Sequence, residues 1–493
     1  MLNNNYMERL SSSLLSKVSL MILMCLVIKA SAQEKTRTKP NILIIINDQW
    51  RGEAIGYEGK ELVITPNLDA FAKSSFVSKQ MVSNYPLCSP SRAMIFSGRY
   101  PLKNHVYSNV NSKGTPFGIE LPTDMVCMSD VLKSAGYFNG YIGKWHLDAP
   151  REPYIKTSNN KNVAWNEWTP PANRHGYDYW YAYGTYDEHD KPLYWNTNDS
   201  RDSFHYVAEW GPKHEADKAI DFFKNKAKER PSDKPFSLVV SMNPPHSDYK
   251  TVPQKYYDLY KDIPLETFIK DPDIPAQGTP MGDFYRKNIK YYYANITGAD
   301  EQIGRILDYL KQSGLQKNTI IVFTADHGNS LGKHEEVSKN HFYEESLRIP
   351  FIIHWDGEIL ARYDDKMLMS EPDIFPTILS MIGLKSQLPV DIDGRDFSNY
   401  ILNGKGNYPT QQYILGSIAA SNKNSGFRGL RTSQYKLVYE LQGKTLNKYL
   451  FDINNDPFEL NNIYESNAKI VNNLKKNLKV WLTNTNDNFN LEK

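Results

Sequence analysis

Four segments of the chain follow one rule. A short, continuous apolar run rich in β-branched residues ends on polar residues capable of chemistry. Asn41-Ile42-Leu43-Ile44-Ile45-Ile46 leads to Asp48 and Gln49, and Phe138-Asn139-Gly140-Tyr141-Ile142-Gly143 leads to Lys144 and His146. Phe236-Ser237-Leu238-Val239-Val240-Ser241 leads to His246, and Thr319-Ile320-Ile321-Val322-Phe323-Thr324 leads to Asp326 and His327. Runs of this kind predict strands buried on both faces, as in a mostly parallel sheet. Helical periodicity separates them, over 123–135 before Gly136, over 215–228 and over 289–312. The alternation predicts an α/β fold with a large mixed, mostly parallel sheet sandwiched by helices. Sites in such sheets form beyond the carboxyl ends of the strands, so all four runs aim their reactive residues at one edge.

The pattern breaks over 150–200, which is polar, turn-rich and aromatic, with Trp165, Trp168, Tyr177, Tyr179, Trp180, Tyr181, Tyr183, Tyr186, Tyr194 and Trp195. A long loop above an active edge is a usual place for substrate recognition, and flat rings beside polar groups suit sugars. Arg174, His175, Asp187 and His189 lie there as candidate substrate-binding residues. The alternative is that these aromatics only pack the insertion into place. After about residue 400 the texture changes: 426–431, 435–439 and 450–452 read as strands of a short antiparallel sheet, and 470–482 as a terminal amphipathic helix. The expected organisation is a catalytic domain over 33–400 and a smaller α+β subdomain over 401–493.

The N-terminus reads as an export signal, 1–32. Lys17 precedes the apolar run 18–28, and Ala30-Ser31-Ala32 offers a small-residue cleavage site before Gln33. The run is short for a bilayer, and no other stretch is apolar enough, so no stable membrane span is expected. Met24 before Cys25 is a poor lipoprotein box. The reading is a secreted or periplasmic protein. Lys+Arg is 58 against 56 Asp+Glu, a net charge of +2 over 493 residues. That balance excludes a generally basic nucleic-acid binder and leaves anion binding to local clusters. Beyond the signal only Cys88 and Cys127 remain, too few for a disulfide framework, and no disulfide is expected.

Cys88 sits in Tyr85-Pro86-Leu87-Cys88-Ser89-Pro90-Ser91-Arg92, followed by Ala93-Met94-Ile95-Phe96-Ser97-Gly98-Arg99. Ser89 can cap a helix, Pro90 fits its first turn and Gly98 its exit. Cys88 is therefore expected just before a helix N-terminus, where free amides favour negative charge, with Arg92 one turn on and able to lean back. Taken alone, such a cysteine also reads as a buried structural residue.

These residues resemble the signature of the type I sulfatases of the alkaline phosphatase superfamily, in which a Cys-x-Pro-Ser-Arg cysteine becomes formylglycine. Gly143-Lys144-Trp145-His146 is similar to a second motif of that family. Lys339 with Tyr343-Glu344-Glu345-Ser346-Leu347-Arg348-Ile349-Pro350 is similar to a third, and residues 372–384 resemble the helix that closes the family's large domain. The resemblance implies hydrolysis of sulfate esters on a sulfated oligo- or polysaccharide. It also implies a formylglycine-generating maturase as a partner and a hydrated aldehyde at position 88 as the nucleophile. Asp48, Gln49, Asp326 and His327, with position 88, are the expected metal ligands. Their oxygens suit Ca²⁺, or Mg²⁺. The family usually places a second Asp where Gln49 stands.

Arg92, Lys144 and Lys339 are then the cations that hold the nucleophile and the sulfuryl oxygens. His146 is the base and His246, after Asn243-Pro244-Pro245, the acid for the leaving alcohol. His334, in Gly332-Lys333-His334, is a further candidate contact. The competing readings are a phosphonate monoester or phosphodiester hydrolase of the same superfamily, and a catalytically inactive sugar-binding relative. Lys144 paired with His146 favours the sulfatase.

Overall fold

In a computed structural model, which describes residues 39–157, 159–225, 230–406 and 408–492, the four apolar runs are four adjacent strands. They are β1 (Asn41–Asn47), β3 (Phe138–Lys144), β7 (Phe236–Met242) and β8 (Thr319–Ala325). β7 and β8 flank β1 and β3 lies beyond β7, all in parallel. Shorter strands complete the sheet: β2 (Phe76–Ser78), β4 (Tyr179–Tyr183), β5 (Leu193–Asn196), β6 (His205–Tyr206), β9 (Phe351–His354) and β10 (Arg362–Asp364). The order is β10-β2-β9-β8-β1-β7-β3-β4-β5-β6. β9 runs antiparallel to both of its neighbours, and β5 and β6 are antiparallel, so the sheet is mixed around a parallel centre. Every residue of β7 and β8 is buried, which explains why these strands read as unbroken apolar runs rather than alternating ones.

The helices follow the expected order but not the expected limits. They are α1 (Pro66–Ala72), α2 (Cys88–Ser97), α3 (Met128–Ser134), α4 (Gly211–Lys224), α5 (Pro280–Gln312), α6 (Ile374–Met381) and α7 (Ala468–Asn484). α3 is shorter than the 123–135 pattern because Cys127 and Asp130 close a capping box at its start. α4 stops at Lys224, where Asn225 takes a left-handed φ of 50°. α5 begins well before residue 289, because Thr279 accepts the Gly282 amide and Pro280 occupies the first turn. α6 is preceded by a separate tight turn, Glu371–Asp373, rather than running from residue 372.

Two further expectations are corrected. The stretch 150–200 is not an open loop. Its aromatic run forms β4, which pairs with β3, and β5 pairs with β4. Tyr177, Trp180, Tyr181, Tyr183, Tyr186, Tyr194 and Trp195 are buried, and Tyr181 stacks on Tyr194 with ring centroids 4.6 Å apart. Aromatic residues favour a pleated, half-packed surface, and that preference outweighs the polar turn residues around them. Secondly, Cys88 does not precede α2 but is its first residue. Leu87 takes the capping position without a side-chain bond, while Ser89 Oγ accepts the Val110 amide at 3.0 Å. Gly98 ends the helix at φ 65°, as expected.

The C-terminal antiparallel sheet runs β11 (Gln411–Gly416), β12 (Gly426–Thr432), β13 (Tyr435–Gln442) and β14 (Thr445–Asp452), in that order. α7 packs on it, with Trp481 stacked on Tyr413 at 4.8 Å, and Arg428 pairs with Asp487 in the interior. Cys88 and Cys127 are both free thiols. The expected signal segment, 1–32, lies outside the described residues. Among the described residues no helix is long and apolar enough to cross a membrane.

Candidate active site

The parallel centre delivers its polar residues to one edge. Asp48 and Gln49 follow β1, and Asp326 and His327 follow the neighbouring β8, whose register sets Asn47 beside Ala325. Lys144 ends β3, and Asn243 and His246 follow β7. The N-terminus of α2 brings Cys88 against them. Its Sγ lies 3.6 Å from Asp48 Oδ1, 3.3 Å from His327 Nε2, 3.0 Å from Lys339 Nζ and 3.9 Å from Lys144 Nζ. Cys88, Asp48, Asp326, His327, Arg92 and Lys144 are all buried.

The charges are paired rather than isolated, as burial requires. Arg92 Nε donates to Asp326 Oδ2 at 3.0 Å and its Nη2 lies 3.3 Å from Asp48 Oδ2, so one guanidinium bridges both carboxylates. Its Nη1 donates to Ser241 Oγ and to the Lys144 carbonyl, both at 2.7 Å. Arg92 therefore leans towards the two aspartates. Lys144 Nζ is 2.7 Å from Asp48 Oδ2 and 3.1 Å from Asn243 Oδ1. Lys339 Nζ donates to Gln49 Oε1 at 3.2 Å.

These cations set the proton affinities. Burial pushes the Asp48 carboxyl up, but Lys144 and Lys339 outweigh it and hold the group well below the usual range. Asp326 is pushed up to about 6 by burial and by the neighbouring Asp48. Burial and Asp48 disfavour a Cys88 thiolate, yet Lys144, Lys339 and His327 prevail and the thiol is held well below its ordinary value.

Strand geometry places Lys144. Gly143 has φ 96°, and a Cβ there would stand 2.0 Å from the Ser241 carbonyl, so only glycine lets β3 approach β7 this closely. His146 follows with φ 58°, and its Nε2 meets the Val110 carbonyl at 3.0 Å. Its Nδ1 is buried without a hydrogen-bond partner. Burial lowers its proton affinity, opposed by the Cys88 side chain.

The remaining sequence candidates divide into two groups. Asp187 and His189 adjoin the site through Asn243, whose Nδ2 lies 3.1 Å from Asp187 Oδ1 and 3.0 Å from His189 Nε2. His246 Nδ1 is 3.4 Å from the same Asp187 Oδ1. Arg174, His175 and His334 have other partners. Arg174 lies over Trp180 and donates to the Thr169 and Thr197 carbonyls. His175 pairs with Asp130 beside Cys127. His334 stacks on Tyr343 between Asp273 and Glu345. Their partners are those of packed interior residues.

Several site residues escaped the sequence reading. Ser241 and Asn243 belong to the β7 end, and the rule that found His246 could have found both. Tyr292, whose hydroxyl donates to the Gln49 carbonyl, and Tyr249, which accepts from Gln49 Nε2 at 3.2 Å, carry no local signal.

The donor set fits a hard divalent cation. Ligand atoms of Asp48, Cys88, Asp326 and His327 all lie within 4.8 Å of one another, and all four residues are buried. Two buried carboxylates, an imidazole and the nearby Gln49 amide oxygen are the chemistry such an ion takes.

Comparison with known proteins agrees with this geometry. The Sulfatase family model matches residues 40–384, and the model for the C-terminal region of N-sulphoglucosamine sulphohydrolase matches residues 332–486. The chain is 36% identical over 490 residues to an endo-4-O-sulfatase of Bacteroides thetaiotaomicron, covering 92% of this chain and 94% of the relative. It is 32% identical over 441 residues to an ulvan-active sulfatase of Formosa agariphila, covering 88% and 79%. A solved Bacteroides fragilis structure, described as a candidate sulfatase, superposes with a TM-score of 0.88 at 47% identity, covering 92% of this chain and 98% of that one.

Proposed function

Since the chain belongs to the sulfatase family and is a sulfate ester hydrolase, we propose that it removes 4-O-sulfate groups from a sulfated polysaccharide of the glycosaminoglycan type. The observation that carries this reading is the convergence of Lys144, Lys339 and His327 on Cys88 at the edge of the sheet, where Arg92 bridges Asp48 and Asp326. Such a cluster is built for a tetrahedral anion. The choice of position follows the endo-4-O-sulfatase relative, which the chain matches along nearly its whole length, and the choice of polymer follows a solved Bacteroides thetaiotaomicron structure described with the metabolism of glycosaminoglycans, 35% identical with a TM-score of 0.84.

The residues divide the work. Arg92 fixes the two carboxylates in one orientation. Lys144 and Lys339 donate to the non-bridging sulfuryl oxygens, whose charge grows in the transition state. His146 stays neutral because burial lowers its proton affinity. With Nε2 on the Val110 carbonyl, its Nδ1 is the atom that takes a proton from the position-88 side. His246 delivers a proton to the departing sugar oxygen. Formylglycine at position 88, made by a maturase, would supply an oxygen nucleophile, and a divalent cation held by Asp48, Gln49, Asp326 and His327 would supply Lewis acidity. Calcium is the proposed ion. Export to the periplasm or medium, through the 1–32 segment, accords with a polymeric substrate. Residues 401–493 are proposed as a subdomain that braces the site.

The test is sulfate release from 4-O-, 6-O- and N-sulfated glycosaminoglycan oligosaccharides by protein made with a maturase, before and after chelation. Release from the 4-O-sulfated set, lost on chelation and restored by Ca²⁺, is expected. Release only from another set overturns the proposed position. No release from any overturns the substrate class.

A further inference from the structure

Asn243 and Asp187 join the sulfuryl side of the site to its leaving-group side. Lys144 Nζ donates to Asn243 Oδ1 at 3.1 Å, and Asn243 Nδ2 faces Asp187 Oδ1 at 3.1 Å, the Tyr186 carbonyl at 3.2 Å and His189 Nε2 at 3.0 Å. The amide is thereby locked with its oxygen towards the lysine and its nitrogen towards the carboxylate. Beyond it, Asp187 Oδ1 stands 3.4 Å from His246 Nδ1, and the Ser247 carbonyl meets that nitrogen at 2.7 Å. Two acceptors on Nδ1 require a hydrogen there, which leaves Nε2 as the nitrogen able to meet a substrate.

We propose that Asp187 is a positioning residue for His246. It orients the ring and balances the imidazolium from which the leaving sugar oxygen is protonated. This rests on the sulfatase reading above and reassigns Asp187, which the sequence offered as a sugar contact. The step balances. The bond between sulfur and the bridging oxygen breaks, its electron pair goes to that oxygen, and the sulfuryl group passes to the attacking oxygen, whose own proton goes to His146 Nδ1. The His246 Nε2 proton completes the alcohol. The ring is left neutral, with its Nδ1 hydrogen still shared between Ser247 and Asp187.

The electrostatics run the same way. Burial and Lys339 disfavour a charged His246, but Asp187 and Asp48 outweigh them and its proton affinity rises. Asp187 is itself held below its ordinary range: burial opposes this, while His246 and Lys144 outweigh it. His189 is pushed down to about 4 by burial and stays neutral, so it accepts from Asn243 and does not compete for the carboxylate as a cation. The Asp187 side chain is 46% exposed, so an isosteric change there need not disturb the core.

The experiment is a double-mutant cycle on kcat and KM with a 4-O-sulfated glycosaminoglycan oligosaccharide, using Asp187→Asn, His246→Ala and the double variant. General acid catalysis contributes roughly 10²–10⁴-fold. His246→Ala is expected to lose that much in kcat, and Asp187→Asn roughly 10–100-fold with KM little moved. The double variant should be no slower than His246→Ala alone. Losses that multiply, or an Asp187→Asn defect confined to KM, overturn the proposal and return Asp187 to a sugar contact. If wild-type protein releases no sulfate from any sulfated glycan, the sulfatase reading fails first, so the two failures are distinct.

Discussion

Glu215 gives a stability prediction whose sign and size follow from its surroundings. It lies on α4 with its side chain buried against β3, where its Oε1 is 3.2 Å from the Cβ position of Gly143. Oε1 accepts from the Tyr194 hydroxyl at 3.1 Å, and Oε2 has no hydrogen-bond partner. Burial pushes this carboxyl from 4.5 up to about 8, with Tyr194, Tyr183 and Arg92 only partly opposing it. The native state therefore holds the proton across a range in which the unfolded chain has released it. Stability linked to Glu215 is complete below pH 4.5 and is lost as pH rises towards about 8. A displacement of this size corresponds to about 3–5 kcal/mol, delivered at up to about 1.4 kcal/mol per pH unit. Glu215→Gln keeps an oxygen for Tyr194 and removes the titration. Its urea midpoint relative to wild type should therefore climb steadily from pH 5 to pH 8, whatever the constant offset from the new amide hydrogens. Denaturation curves at four pH values in that window measure it. Two midpoint profiles that stay parallel refute the reasoning.

Three other outcomes follow from the same geometry. Gly143→Ala puts a Cβ 2.0 Å from the Ser241 carbonyl at a φ of 96°, and should cost about 3 kcal/mol or more of stability, read as a fall in the denaturation midpoint. Lys144→Met removes a donor to the sulfuryl oxygens and leaves Asp48 short of a cation, so kcat for sulfate release should fall roughly 10²–10³-fold. Cys88→Ala should abolish turnover, whereas Cys127→Ala should keep it and lose only about 1 kcal/mol of stability. Equal loss of turnover in both cysteine variants contradicts the role given to Cys88.

The centre of the fold was legible because its signal is local. Strands buried on both faces are mostly apolar, and in these four runs a charged residue appears only where the run leaves the sheet and meets the site. Asp48, Lys144, His246 and Asp326 were visible for that reason. The edge of the sheet was less legible. In β4 the aromatics of Tyr179–Tyr183 serve both as a strand and as a packing layer, and the polar turns around them read as an insertion. The start of α2 was misplaced because Ser89 looks like a cap in sequence, yet spends its hydroxyl on a segment twenty-one residues away. Tyr249 and Tyr292 were invisible because their roles exist only after β1, α5 and the loop beyond β7 have met.

Lys339 shows why the C-terminal sheet matters to chemistry it never touches. The residue lies in an irregular segment between β8 and β9, where nothing in the local backbone fixes a long side chain. The segment is pinned from outside instead. The Asn340 amide donates to the Pro86 carbonyl at 2.9 Å, two residues before Cys88. The Asn340 side chain accepts the Ser417 amide at 2.8 Å, just past β11. Glu344 accepts from Arg431 on β12 at 2.8 Å and from Lys436 on β13 at 3.1 Å, and these two cations, against the cost of burial, hold its carboxyl far below the usual range. A buried ion-pair network of this kind adds little net stability, but it permits few alternative arrangements. The cation that faces Cys88 from outside the central strands thus takes its position from the C-terminal sheet. The C-terminal sheet thereby braces the Lys339 segment against the loop that leads into the Cys88 helix.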